Sequence, residues 1–91
     1  MNTIKPVRKE GVFTQDIGRE ALLYGVRGKA FHVINSTARL IWELCDGEHT
    51  IEDMEQAVRE NFLISKGHDV IGDIRRTLRF FSSKGLLEEF A

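Results

Sequence analysis

Residues Ile34–Gly47 read INSTARLIWELCDG, and this stretch separates a strand-forming half of the chain from a helix-forming half. Between Ala38 and Cys45 only Arg39 and Glu43 are polar. A helix that is apolar around most of its circumference belongs inside a domain and not on its surface. We therefore expect this helix at the centre of the fold.

Both ends of the central helix carry end signals. Asn35 and Ser36 each offer a side-chain oxygen to the free amides of a helix start. Gly47, just beyond the expected end near Cys45, suits the left-handed conformation that stops a helix. Trp42 lies between apolar neighbours and is predicted to anchor the core, while a partner-binding aromatic is the alternative interpretation.

Three short segments before this helix have the composition of β-strands, namely Val12–Ile17, Ala21–Val26 and Lys29–Ile34. Gly18 and the pair Arg27-Gly28 can supply the tight turns between them, because glycine adopts positive φ without strain. Short strands joined by tight turns predict an antiparallel meander. The third strand then lies at an edge of the sheet.

Two amphipathic helices are predicted after Gly47. Thr50 begins one of them, with Asp53 three residues later in an approximate capping box. The other runs from about Asp69 to Ser83, with an apolar stripe formed by Val70, Ile74, Leu78 and Phe81. Gly72 inside it costs about 1 kcal/mol relative to alanine. Strands followed by helices predict an α+β domain.

The composition narrows the class of protein. The chain has 91 residues, with 13 basic and 14 acidic side chains, so it lacks the positive charge typical of sequence-independent nucleic-acid binding. No apolar run approaches the roughly 18 residues of a membrane span, and the first ten residues lack the apolar core of a secretory signal. We expect a cytoplasmic protein with a flexible N-terminal arm over residues 1–10 and a single domain over residues 11–91.

Nothing in the sequence predicts catalysis or a bound cofactor. His32, His49 and His68 lie 17 and 19 residues apart and Cys45 is the one cysteine, whereas zinc needs three or four clustered ligands. Neither Cys45 nor Ser36 has a neighbouring base that spacing identifies. We expect no enzyme activity, no metal and no cofactor, and we interpret Cys45 as a small buried hydrophobe.

The predicted edge strand is the first candidate binding surface. Its one charge lies at its first residue, and it contains no proline, so its unpaired backbone groups stay available. An extended peptide can add to such an edge as a further strand. A second copy of the chain could pair there instead and form a homodimer. The candidate residues are Lys29, Ala30, Phe31, His32, Val33 and Ile34.

The third helix carries a second candidate surface formed by Arg75, Arg76 and Arg79. A solvated face is the plain interpretation. Two functional interpretations stay open beside it. The helix could enter a DNA major groove as a recognition helix, or the arginines could receive an acidic peptide through charge-assisted hydrogen bonds.

Several short segments form a distinctive pattern when they are taken in order. The main ones are Phe31-His32-Val33-Ile34-Asn35, Ala38, Ile41-Trp42, Leu44 and Asp46-Gly47. Further ones are Thr50-Ile51-Glu52-Asp53, Leu78, Phe81 and Gly85-Leu86-Leu87. Together they resemble the PqqD family of small peptide chaperones in ribosomal-peptide modification pathways. The resemblance spans about residues 12–89, with Ile34 standing where the family usually has leucine.

The resemblance implies a winged-helix-like domain, in which a three-stranded antiparallel sheet is followed by a three-helix bundle. It also implies a precursor-peptide recognition element that binds a leader peptide along the third strand, beside the third helix. Such domains deliver the leader to a modifying enzyme, often a radical S-adenosylmethionine enzyme. Carried over, the leader would contact Phe31–Ile34, and Arg75 and Arg79, four apart on one helix face, would hold its carboxylates. A winged-helix DNA-binding domain and an enzyme-docking module are the alternatives.

Overall fold

The computed structural model describes residues 4–25 and 30–88 and shows an α+β domain. Its elements are β1 (Val12–Ile17), β2 (Glu20–Gly25), β3 (Phe31–Ile34), α1 (Ser36–Glu43), α2 (Ile51–Asn61) and α3 (Val70–Ser83). The strands pair antiparallel in the order β1-β2-β3. This confirms the predicted meander, its edge strand and the three helices that follow. None of the helices within the described ranges has the length and hydropathy needed to span a membrane.

The observed bounds differ from the predicted ones in β2, which begins at Glu20, in β3 and in α1. β3 begins at Phe31, and the predicted turn at Arg27-Gly28 lies, like Lys29, outside the described residues. α1 ends before Leu44, earlier than predicted. Its last turn tightens, because the Cys45 amide bonds the Trp42 carbonyl at 3.1 Å, a three-residue spacing.

A two-residue hairpin joins β1 to β2 and sets the hydrogen-bonding phase of the sheet. Ile17 lies opposite Glu20, and between them Gly18 has φ +75° while Arg19 has no positive φ. Positive φ at the first central position alone defines a type II′ turn, in which the first carbonyl accepts from the fourth amide. Ile17 and Glu20 are therefore a hydrogen-bonded pair, and bonded and open pairs alternate from there along the ladder.

The core lies between the inner face of the sheet and the three helices. Its buried side chains are Ala21, Leu23, Ile34, Ile41, Trp42, Cys45, Met54, Val58, Val70, Ile74, Leu78, Phe81, Leu86 and Leu87. The Trp42 ring meets Phe81 edge-on with ring centroids 5.1 Å apart, and its Nε1–H donates to Thr14 Oγ1 at 3.0 Å. The predicted core role of Trp42 is confirmed.

Cys45 is fully buried, as its apolar surroundings predict. Burial raises the pKa of its thiol to about 12, with Arg8 opposing the shift. Its Sγ–H donates to the Ile41 carbonyl at 3.3 Å. The thiol therefore stays protonated at neutral pH and acts as packing.

Side-chain caps begin α2 and α3. The capping box between Thr50 and Asp53 is complete, and the hydrogen bond from the Thr50 amide lowers the pKa of the Asp53 carboxyl. Asp69 caps α3 by accepting from the Gly72 amide at 2.9 Å. A Cβ at Gly72 would collide with that carboxylate, which explains the glycine near the start of this helix.

Residues 4–10 require a correction, because they are packed and do not form a flexible arm. Pro6 is fully buried. Val7 and Arg8 form isolated bridges with Asp46 and Leu87, and the Arg8 guanidinium donates to the carbonyls of Trp42 and Glu43 at 2.9 and 2.7 Å. The composition of this segment could not predict the packing, because most of the bonds use the backbone.

Candidate functional site

Among residues 4–25 and 30–88, no strand pairs with the outer edge of β3. The hairpin phase determines which backbone groups of β3 point to this open edge. In the β2–β3 register, Leu23 lies opposite His32 and Ala21 opposite Ile34. Alternation from the Ile17–Glu20 pair makes these two pairs hydrogen-bonded. His32 and Ile34 are therefore bonded to β2, whereas Phe31 and Val33 direct their N–H and C=O groups to the open edge.

The side chains of β3 alternate between the two faces of the sheet. Ile34 is buried in the core and His32 is half-buried on the same face, toward α3. Phe31 and Val33 are mostly exposed on the outer face. Ala30 is exposed just before the strand.

A cleft runs along β3, and an aromatic contact between β3 and α3 divides it into two grooves. The His32 and Phe80 rings meet edge to face with centroids 5.9 Å apart. The smaller groove, of about 290 Å³, lies between β3 and α3 and is lined by Val33, Ile34, Asn35, Ala38, Arg76, Thr77 and Phe80. The larger groove, of about 670 Å³, lies between the N-terminal segment, the start of β3 and the residues that follow α3, and is lined by Lys9, Glu10, Gly11, Val12, Gly25, Ala30, His32, Lys84, Gly85 and Leu86. The cleft thus combines apolar walls with a cation at one end and with two lysines and one glutamate at the other.

Arg75 and Arg79 do not face this cleft, so their predicted placement beside β3 is corrected. A helix turns about 100° per residue, which puts Arg75 about 140° and Arg79 about 100° around α3 from Phe80. Both are exposed. Arg76 lies only about 40° from Phe80 on the same measure, and it lines the smaller groove.

An acidic partner already engages Arg76. The Asp73 carboxylate accepts from both His68 Nε2 and Arg76 Nη2. These hydrogen bonds, the one from His68 foremost, lower the pKa of the Asp73 carboxyl. Asp73 is therefore ionised at neutral pH and offsets part of the Arg76 charge. A carboxylate from a ligand would compete with Asp73 for the guanidinium.

Phe80 and Lys84 also belong to the cleft, although neither is among the predicted binding residues; the sequence places Lys84 just beyond the basic face of the third helix. The Lys84 ammonium lies 5.9 Å from the Phe80 ring centroid. The missed signal is that Phe80 is an aromatic residue outside the apolar stripe that ends at Phe81. An aromatic side chain off the buried stripe marks a second contact surface on the helix.

The outer face of the sheet carries an aromatic row that crosses all three strands. Phe13, Tyr24 and Phe31 lie opposite one another, with successive ring centroids 5.7 and 5.8 Å apart. The neighbouring row contains Gln15, Leu22 and Val33. The two rows end at the open edge of β3.

Similarity to known proteins agrees with this arrangement of strands and helices. No curated protein matches the chain significantly. A solved structure of TbiB1 in complex with the TbiA(beta) leader peptide is similar in fold, with a TM-score of 0.78 and 22% identity over 93% of this chain and 98% of that chain. The family model for coenzyme PQQ synthesis protein D (PqqD) matches residues 20–87. The chain therefore belongs to the PqqD family.

Proposed function

We propose that this chain is a non-catalytic adaptor that binds the leader of a ribosomally synthesised precursor peptide as a fourth strand on β3. It would present the bound leader to a modifying enzyme in the cytoplasm, with a radical S-adenosylmethionine enzyme as the first candidate. The observation that carries the proposal is the open edge at Phe31 and Val33 beside an apolar cleft with cations at both ends. Membership of the PqqD family supports it, as does the leader peptide bound to TbiB1.

Backbone pairing alone does not supply the affinity. An added antiparallel strand would exchange four backbone bonds with Phe31 and Val33, each contributing about 0.5–1.5 kcal/mol net. Association costs about 4–15 kcal/mol in lost translational and rotational freedom. Side chains of the leader that pack into the cleft against His32 and Phe80 must provide the difference, and they also provide the selectivity.

Amide hydrogen exchange tests the proposal. The probe is the precursor peptide encoded nearest to the gene of this chain, with the TbiA(beta) leader as a foreign control. We expect the amides of Phe31 and Val33 to gain protection when the precursor is added. Those of His32 and Ile34, already bonded to β2, should change little. Protection elsewhere with Phe31 and Val33 unchanged would contradict strand addition. Protection without peptide that grows with protein concentration would instead indicate the homodimer through β3.

Two substitutions at the rim of the smaller groove should have opposite effects on binding. Arg76→Ala removes the cation and should weaken binding of an acidic leader about fivefold, as expected for about 1 kcal/mol from a partly exposed ion pair. Asp73→Asn removes the competing carboxylate and should strengthen binding about twofold, on the same scale. Fluorescence anisotropy titrations of labelled leader at low and high salt measure both, and the differences should shrink with salt.

Arg79→Ala is the matched control, because it makes the same change on the side of α3 turned away from the cleft. It should leave the affinity unchanged. If Arg79→Ala weakens binding as much as Arg76→Ala does, the leader approaches α3 from the other side. The assignment of the cleft would then be wrong.

A further inference from the structure

Two rows on the outer face of the sheet are mainly apolar, and their apolar side chains are more exposed at the open edge than on β1. Phe13, on β1, is 48% exposed, whereas Phe31 and Val33, on β3, are 65% and 61% exposed. No charged side chain lies in the two rows that contain these residues. The largest apolar exposure on this face therefore coincides with the free backbone groups.

The geometry of an added strand connects these two properties. Residues directly opposite each other in a ladder place their side chains on the same face of the sheet, with Cβ atoms about 4.5–5.5 Å apart. Leader residues that bond the backbone of Phe31 and Val33 would therefore lie on the outer face. The leader residue between them, opposite His32, would point into the cleft.

We propose that the leader is read on both faces, and that its two residues opposite Phe31 and Val33 are aromatic or β-branched. They would extend the outer rows by one member each, so that the row of Phe13, Tyr24 and Phe31 gains a fourth ring or branched side chain. This inference rests on the proposed function. It adds a requirement on the side of the leader that the cleft does not contact.

Two observations favour the leader over a second protein as the occupant of this surface. The apolar rows continue into the position of the added strand, with a ring spacing of 5.7 and 5.8 Å already established across the sheet. The face is also small. Two six-residue strands and one four-residue strand, about 4.8 Å apart and with about 3.3 Å per residue, cover roughly 250 Å². This is well below the roughly 800 Å² per partner of a stable interface.

The test is a selection of peptides from a displayed random library, with the full chain as the immobilised target. We expect selected peptides to share a core in which consecutive positions are apolar, since both faces impose a preference. A second selection uses the double variant Phe31→Thr, Val33→Thr, in which threonine preserves the strand propensity. There the outward positions should lose their apolar preference while the inward positions keep it.

The affinities of the selected peptides for the unmodified protein and for the double variant measure the same preference quantitatively. Peptides selected on the unmodified protein should bind the double variant about tenfold more weakly, since two stabilising cross-strand pairs are lost. The matched control is Phe13→Thr, a change in the same aromatic row but two strands away from the leader. It should leave the affinity unchanged.

The outcomes separate the two proposals. Peptides with apolar residues only at the inward positions, bound equally by the double variant, would overturn this inference and leave strand addition intact. A selection that yields no peptide, together with no amide protection by the precursor, would overturn both. If Phe13→Thr weakens binding as much as the double variant, or if size-exclusion chromatography shows a dimer that Phe13→Thr disrupts, a larger partner occupies the face and the inference is wrong.

Discussion

Val33→Pro should abolish leader binding, with a loss of about a hundredfold or more, and leave the domain folded. The Val33 amide points to the open edge, so proline deletes a donor that β2 does not use. Edge strands tolerate proline where the amide faces solvent. The leader loses one backbone bond and keeps an unpaired carbonyl, which together cost about 2–4 kcal/mol.

His32→Pro, one residue away, is the control for this substitution. The His32 amide bonds β2 opposite Leu23, so proline there removes a bond within the sheet. Urea unfolding should show a large loss of stability for His32→Pro and little for Val33→Pro, and anisotropy titration gives the leader affinity. Greater destabilisation by Val33→Pro than by His32→Pro would show that the hydrogen-bonding phase of β3 is the reverse of the one derived from the hairpin. Normal leader binding by folded Val33→Pro would rule out strand addition.

Trp42→Ala should reduce the free energy of unfolding by about 3–5 kcal/mol, as large core truncations do. A domain of this size is stable by about 5–14 kcal/mol, so the variant should lose a large share of its stability. Trp42 packs on Phe81, donates to Thr14 and lies below the Arg8 guanidinium. Its removal therefore leaves a cavity where β1, α1, α3 and the N-terminal segment meet.

Urea unfolding followed by circular dichroism measures this loss, since the substitution removes the tryptophan as a fluorescent reporter. Phe31→Ala is the control, because it truncates an aromatic residue that is mostly exposed and should change stability by no more than about 0.5 kcal/mol. Trp42→Phe should fall between them, keeping most of the volume but losing the bond to Thr14. If Trp42→Ala and Phe31→Ala have the same stability, the core does not depend on the central helix as described.

The fold could be predicted because the turns and helix caps that separate its elements depend on residues close together in the sequence. Glycine at position 18 and the cap formed by Thr50 and Asp53 each act within four residues, so they are visible in the sequence. The hydrogen-bonding phase of β3, in contrast, could not be predicted from local sequence. Whether Phe31 or His32 faces the open edge follows from a turn more than ten residues earlier and from the register across β2. Sequence alternation identifies the two sets but not their orientation.

The arginines of α3 show a second limit on what the sequence can predict about the binding site. The four-residue spacing of Arg75 and Arg79 correctly places them on one face of α3, and the stripe of Ile74, Leu78 and Phe81 identifies the side turned to the core. Two flanks of the helix are then left, and only the packing of α3 against the sheet selects the flank of Arg76. Residue type and spacing cannot choose between these flanks, because the choice depends on contacts between distant segments.

The packing of residues 4–10 against the rest of the domain also constrains the order in which the domain folds. The Val7 carbonyl accepts from the Glu88 amide, and the Lys9 amide donates to the Leu86 carbonyl, so each bond pairs residues that are about 80 positions apart in the chain. Such distant pairing closes a long loop and forms late. During synthesis the sheet, α1 and the bonds of Pro6 and Arg8 with Gly47 and Cys45 can form early, while the bonds of Val7 and Lys9 with the tail form last. The domain therefore reaches its native state only after residue 88 has left the ribosome.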